Sequence, residues 1–359
     1  MSEGLEGVVA ARTQLSDVDG EAGRLVIRGF DVETLSQQKR IVETAHLLWA
    51  GFFGDLPDVK ALEARLGEAR IEAFERMTSA GGVPADLNAI EAVRALLALL
   101  PDGEGLETAI LTTAAAAVFT SAVGRSLKAL PPVRPDGALD HATDSLRMLH
   151  DQPIPPAQAA ALDAYLVTIS DHGLNASTFA ARVTASTLAG LTSAVLTGVS
   201  TLKGPLHGGA PGPVIDMLDA IGEASNARPW IEAALARGDR LMGFGHRIYR
   251  VRDPRADALK RVLKTLPMTC GRLALAEAVE AAALGILRAR KPGRSLDTNV
   301  EFYTALLLEA LGFPRELFTC VFAMGRTIGW IAHAREQVMS GRLIRPQSVY
   351  IGPMASQAA

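Results

Sequence analysis

Four junctions in this sequence combine glycine or asparagine with ionisable side chains. They read SDHGLNAST around His172, GPLHGGAPG around His207, MGFGHRIYRVRDPR around His246, and LDTNVEFY around Glu301. Loops of this kind, held by a rigid scaffold, are where function concentrates. Gly208 and Gly209 after His207 remove side-chain bulk and let a ligand approach the backbone. An apolar run from Pro213 then starts a helix, whose positive end favours a neutral imidazole. A neutral imidazole can donate a hydrogen bond to a developing enolate. The ordinary alternative for His207 is a tight-turn histidine bonded to backbone.

The segment after His246 ends in Asp253-Pro254-Arg255. Aspartate is a good N-cap and proline suits the first helical position. Arg255 therefore falls in a first helical turn, where free N–H groups favour an anion, and its guanidinium can clamp a carboxylate through two hydrogen bonds. Arg247 and Arg252 read instead as a solvated basic face. Asn299 reads as an N-cap, which places Glu301 in a first turn. Glu301 could simply complement the helix dipole, but its flanks Val300 and Phe302 are apolar, and a partly buried carboxylate there could act as a base. His172 could be a core histidine satisfied by Asp171 or Asn175. Arg326, in GRTIGWIAHAREQ, and Arg345, in LIRPQS, could each form a structural ion pair. His46, His141, His150 and His333 sit within helical patterns, as packing or surface residues.

The elements that must hold these junctions are helices. Runs such as Asp58–Met77, Glu107–Leu127, Pro156–Ile169, Pro254–Leu263, Leu273–Arg290 and Val300–Leu311 carry helical patterns. So do Thr178–Leu196, Arg315–Phe322 and Thr327–Ser340. The strand signal is confined to TQLSDVDGEAGRLVIRG, a hairpin centred on Asp19-Gly20. The fold class expected is all-α with a small N-terminal β-hairpin.

Composition excludes several classes. The 359 residues are 48% hydrophobic and 21% charged, as in a globular protein with a large core. A formal net charge of −3 gives no global field for nucleic acid or an anionic membrane. Cys270 and Cys320 form no disulfide framework or metal knuckle, which suits a reducing cytosol. The opening MSEGLEGVVAAR lacks the pattern of a secretory signal. The apolar stretch Thr178–Leu202 contains Arg182 and many small residues, and reads as a closely packed helix rather than a membrane span. There is no nucleophile elbow, P-loop or HExxH, and the lone GxG at Gly243–Gly245 lacks a preceding strand. The histidines and Glu301 offer no local ligand pair, so no metal is expected.

Taken in order, GLEGVVAARTQLSDVDGEAGRLVIRGFDVETL, SDHGLNAST, GPLHGGA, GFGHRIYRVRDPR, NVEF, GRTIGWIAH and RPQS resemble the citrate synthase family over nearly the whole chain. The length is similar to the family's short bacterial and archaeal form. The resemblance implies a homodimeric, cytoplasmic condensing enzyme of the tricarboxylic acid cycle that joins acetyl-CoA to oxaloacetate. The coenzyme A thioester would be a co-substrate, with no tightly bound cofactor. It implies that His207 stabilises the enol of the thioester, that Glu301 takes the methyl proton, and that His246 polarises the ketone of oxaloacetate. His172, Arg255 and Arg326 would hold oxaloacetate, with Arg345 reaching it from the other subunit. Arg250 would meet coenzyme A phosphate, and Leu241, Met242, Gly243, Gly245 and Asn299 would line the coenzyme site. A small lid domain is placed at residues 216–318, between large-domain segments 1–215 and 319–359. One departure stands out: Glu301 occupies the place of the family's usual aspartate. A 2-methylcitrate synthase using propionyl-CoA carries the same motifs, because one methyl group distinguishes the substrates. A catalytically weak member with a structural or regulatory role is the reading from outside catalysis, and Glu301 alone supports it.

Overall fold

The computed structural model describes residues 3–5, 7–208, 211–246, 248–266, 270–291 and 296–353. Glu6, Gly209, Ala210 and Arg247, which belong to the motifs above, lie outside the described residues. Helices dominate. The first half contains α1 (Val32–Gln38), α2 (Ile41–Trp49), α3 (Val59–Ser79), α4 (Ala89–Leu97), α5 (Leu106–Ser126), α6 (His141–His150), α7 (Pro156–Ile169), α8 (Ala176–Ala185) and α9 (Leu191–Leu202). The second contains α10 (Pro211–Ile221), α11 (Ala227–Ala236), α12 (Pro254–Leu263), α13 (Cys270–Arg290), α14 (Val300–Ala310) and α15 (Phe318–Ser340). The expected hairpin forms from β1 (Ser16–Asp19) and β2 (Arg24–Ile27), paired antiparallel with Ser16 opposite Ile27. A short third strand, β3 (Phe30–Asp31), extends it.

The caps explain many boundaries. Asp58, Asn88, Asp140, Asn175, Asp253 and Asn299 each accept a backbone N–H from the first turn of the helix that follows. Such a cap is worth about 1 kcal/mol.

Two expectations are corrected. Thr178–Leu196 is not one helix: α8 stops at Ala185, and Leu188 (φ 62°) and Gly190 (φ 100°) turn the chain before α9. The new start is capped from far away, since Asp102 accepts the N–H groups of Thr192 at 2.9 Å and Ser193 at 3.0 Å. Conversely, the two helices expected after Pro314 are a 3₁₀ turn at Arg315–Leu317 and one continuous helix, α15.

Helix α15 is the axis of the larger core. It packs against α2, α5, α7, α8 and α9. Residues on every side of it are buried, as are those of α5, the pattern of a central core helix. Both are long and apolar enough to cross a membrane, but 89% of each apolar window is buried inside the protein. At Gly329 a Cβ would lie 2.1 Å from the carbonyl oxygen of Ser170. Only glycine permits that approach, which brings α15 against the backbone leading to His172. Helices α10 to α14 pack largely on one another, through α10 with α14, α11 with α13, and α12 with α14. Helix α12 also touches α1 and α7 of the larger core.

Candidate active site

The start of α14 is stitched to the glycine-rich segment before His246. Asn299 donates its backbone N–H to Gly243 O at 3.0 Å and its side-chain amide to Gly245 O at 2.9 Å. Its Oδ1 accepts the N–H of Glu301 at 3.0 Å. Gly245 N–H donates to Asp297 O at 2.8 Å, and Phe244 pairs with Thr298 as an isolated β-bridge. Gly243 has φ 82°, and a Cβ there would stand 2.8 Å from Phe302 Cβ. Leu241 is buried and Met242 packs against the core. Residues 241–245 and Glu301 therefore belong to one local unit.

Asp253 fastens that unit to α12. Its carboxylate takes Arg255 Nε at 3.0 Å and Nη2 at 2.8 Å, and also receives the N–H of Val300 at 3.1 Å. Arg255 is 3% exposed and Asp253 1%. Burial opposes the charge on Arg255, but Asp253 outweighs it and keeps the guanidinium more basic than usual.

His246 faces this pair. Its Nδ1 receives the N–H of Ile248 at 3.0 Å and of Tyr249 at 3.2 Å. A nitrogen that accepts two N–H groups carries no proton, so the neutral ring holds its hydrogen on Nε2. Nε2 lies 3.3 Å from Arg255 Nη2. With Nδ1 accepting, Nε2 and Arg255 Nη2 lie side by side and can both donate to one acceptor oxygen. Burial and then the Arg255 charge, against Asp253, push His246 down to about 4, so it is neutral at physiological pH.

His172 closes the cluster. Its ring centroid is 5.7 Å from that of His246, and its Nε2 lies 3.0 Å from the Tyr249 hydroxyl. Burial holds it well below its usual basicity, reinforced by Arg255, His246, Arg326 and His207. Arg326 is 1% exposed, donates Nε to Ile169 O at 2.5 Å and lies over the Phe322 ring. Burial lowers it to about 10, against the attraction of Asp171, so it remains a cation. Asp171 in turn pairs with buried His333 at 3.1 Å.

His207 enters from the loop after α9. Its Nε2 receives the N–H of Ser177 at 3.3 Å and lies 2.9 Å from that residue's hydroxyl. The neutral ring therefore carries its proton on Nδ1. Ser177 is held by Asn175 Oδ1 at 2.8 Å and by Trp330 Nε1 at 3.2 Å. Glu301 is half-buried. Burial, with Arg255 and Arg240 opposing it and Asp253 reinforcing it, pushes its carboxyl up to about 7.

His172, His207, His246, Arg255, Arg326 and Glu301 thus share one electrostatic environment. Arg250 is exposed, 3.9 Å from Glu21, with its N–H bonded to Gly20 O at 2.8 Å. Arg345 is exposed on the extended segment after α15, where Ile344 N–H bonds Ser186 Oγ at 3.1 Å. Among the described residues it has no contact with the cluster.

Arg252 is not on a solvated basic face. It binds Glu280 at 2.7 Å and also Asp257. Glu280 additionally receives Lys260 at 3.0 Å, the Thr298 hydroxyl at 2.7 Å and the Tyr303 hydroxyl at 2.6 Å. It ties the segment before Asp253 to the segment before Asn299. Sequence reasoning missed Glu280, Tyr249 and Ser177; Glu280 lies mid-helix in an alanine-rich stretch and carries no local signal. His333 is a packing residue, as expected, but within a buried charge network that includes Arg182 and Glu336.

Comparison with known proteins bears on this arrangement. Residues 4–347 match the family model described as citrate synthase, C-terminal domain. A citrate synthase of Haloferax volcanii is 36% identical, over 98% of this chain and 96% of the relative. A 2-methylcitrate synthase of Mycobacterium tuberculosis is 32% identical, over 98% of this chain and 91% of the relative. A structure of citrate synthase from Thermoplasma acidophilum, in ternary complex with carboxymethyl coenzyme A and oxaloacetate, aligns with TM-score 0.86 at 26% identity, over 99% of this chain and 97% of that one.

Proposed function

The chain is an acyltransferase of the citrate synthase family, and on that premise we propose how its residues condense acetyl-CoA with oxaloacetate to give citrate and coenzyme A. The observation that carries the assignment is the contact of His246 Nε2 with Arg255 Nη2 at 3.3 Å, which sets a neutral imidazole directly beside a buried guanidinium. Oxaloacetate supplies acceptor oxygens: a ketone for His246 and a carboxylate for Arg255. Arg326 and His172 complete the grip on its two carboxylates.

The thioester then faces His207 and Glu301. A thioester α-proton is weakly acidic, so a base must act together with a donor that stabilises the enolate. Glu301 takes a methyl proton as His207 Nδ1–H hydrogen-bonds the thioester oxygen. The enol carbon attacks the ketone carbon, and His246 delivers its Nε2 proton to the new alkoxide. Water then hydrolyses the citryl thioester and releases coenzyme A. Leu241, Met242, Gly243, Gly245 and Asn299 cradle the coenzyme, and Arg250 meets its phosphate. Residues 216–318 serve as a lid that keeps water out until the carbon–carbon bond forms.

The enzyme works as a cytoplasmic homodimer, with Arg345 completing the neighbouring subunit's site. What supports this is the exposure of Arg345 on the extended segment after α15. The 2-methylcitrate reading is retained through the relative from Mycobacterium tuberculosis. Mass spectrometry of the product from oxaloacetate with either thioester tests the proposal. Citrate or methylcitrate supports it, and no condensation product from either thioester refutes it.

A further inference from the structure

Two of the site's histidines lie on separate loops, and one small element touches both loops. The β1–β2 hairpin is anchored by Leu15, Leu25 and Ile27, each fully buried. Along β1, the Ser16 hydroxyl accepts the N–H of Gly173 at 3.0 Å and lies near enough to Asp171 to help hold its carboxyl low. Val18 Cγ2 would stand only 3.1 Å from a Cβ on Gly173. Both contacts brace Gly173, the residue that follows His172.

At the other end the hairpin turn meets the loop after His246. Gly20 O accepts the N–H of Arg250 at 2.8 Å. A Cβ on Gly20 would lie 2.3 Å from Ile248 O, and one on Gly23 would lie 2.6 Å from Val251 Cγ2. The turn is stiffened by Asp19, whose Oδ1 accepts from Glu21 at 3.1 Å and Ala22 at 2.9 Å. Ile248 and Tyr249 provide the two N–H groups that fix the proton of His246 on Nε2.

We propose that the N-terminal hairpin is a positioning element, in which Ser16 sets the His172 loop and Gly20 sets the His246 loop, so that the two rings present their donors to one bound oxaloacetate. The inference rests on the reading of those histidines as oxaloacetate-binding residues. Gly20 is well suited to test it. Its φ is not in the left-handed region, so alanine is free of local backbone strain there. What alanine does instead is collide with a carbonyl on the far side of the seam, displacing the peptide that donates to His246.

The experiment combines steady-state kinetics, thermal melting and ¹⁵N-histidine NMR on full-length wild type, Gly20→Ala and Ser16→Ala, with the His246 signal assigned through His246→Gln. Gly20→Ala is expected to remain folded with a lowered melting temperature and to lose about tenfold to a hundredfold in kcat, since a misplacement near 1 Å has that effect. Its KM for acetyl-CoA stays within about twofold, and its His246 spectrum moves from a single Nε2–H tautomer towards a mixture. Ser16→Ala is expected to raise KM for oxaloacetate about fivefold or more through His172. A folded Gly20→Ala with wild-type kcat and an unchanged His246 signal overturns the proposal. If Gly20→Ala does not fold, an unchanged oxaloacetate KM in Ser16→Ala overturns it. Should wild type itself form no condensation product, the functional reading fails, and the His246 signal still decides the positioning claim.

Discussion

Asp253 Oδ2 lies 2.8 Å from Arg255 Nη2 and also receives the N–H of Val300, so one buried carboxylate orients the Arg255 guanidinium and the start of α14, whose first turn holds Glu301. Removing it, as in Asp253→Ala, leaves Arg255 buried without its partner. The expected loss of stability is on the order of 3–5 kcal/mol, read by urea denaturation. On the proposed mechanism, turnover falls further than the folded fraction does, because both Arg255 and Glu301 lose their register. Activity that merely tracks the folded fraction would assign Asp253 a structural role alone.

As the proposed base, Glu301 is expected to set the pH dependence. Its carboxyl is pushed up to about 7, so it is a base only above that region, and kcat/KM rises with pH through about 7. His246, held near 4, is neutral throughout and adds no limb there. The same shift has a stability sign. A group whose folded pKa is raised contributes stability below its unfolded value near 4.5, and that contribution is lost as pH rises through 7. Glu301→Gln removes the penalty. It is expected to be more stable than wild type at pH 8, by about 1–3 kcal/mol, and at least a hundredfold slower. Denaturation and kinetics at pH 5 and 8 check both.

Much of this site was legible in the sequence because its markers are local. Asp253-Pro254 announced the start of α12, and Asn299 announced the start of α14. The catalytic candidates sit where glycine-rich loops meet those starts. What was not legible depends on distant partners. The break between α8 and α9 is capped by Asp102 from another loop, which no pattern within 178–196 reveals. Arg252 looked like a surface cation because Glu280, its partner at 2.7 Å, lies one helix away. The continuity of α15 through Gly325 and Gly329 follows from packing against Ile169 and Ser170, which overrides the weak helix propensity of glycine.

Glu280 makes an acid-stability prediction. Burial disfavours its charge, but hydrogen bonds from Tyr303, Thr298 and Arg252 outweigh that and hold it at about 2. A depressed carboxyl contributes stability above its unfolded value near 4.5, and that contribution is lost as pH falls towards 2. Glu280→Gln should therefore be less stable than wild type at pH 7, by about 2–3 kcal/mol, with the gap narrowing between pH 4.5 and 2. A gap independent of pH would mean that the amide alone disrupts packing.

For His207 the partner to remove is Ser177. Ser177→Ala deletes the hydroxyl 2.9 Å from Nε2 but keeps the backbone N–H that defines the tautomer. Turnover should fall by about tenfold or less, whereas His207→Ala should cost about a hundredfold to a thousandfold, as loss of an enolate donor does. Equal losses in the two variants would mean that the hydroxyl, not the backbone, sets the ring.

Glu301 is proposed as a working base in the place of the family's usual aspartate. Oxaloacetate-dependent thiol release, with acetyl-CoA and propionyl-CoA, on wild type and Glu301→Asp tests it most directly. The account predicts good turnover by wild type with at least one thioester and a slower Glu301→Asp, because the site is built around the longer side chain. A nearly silent wild type revived by Glu301→Asp would contradict it.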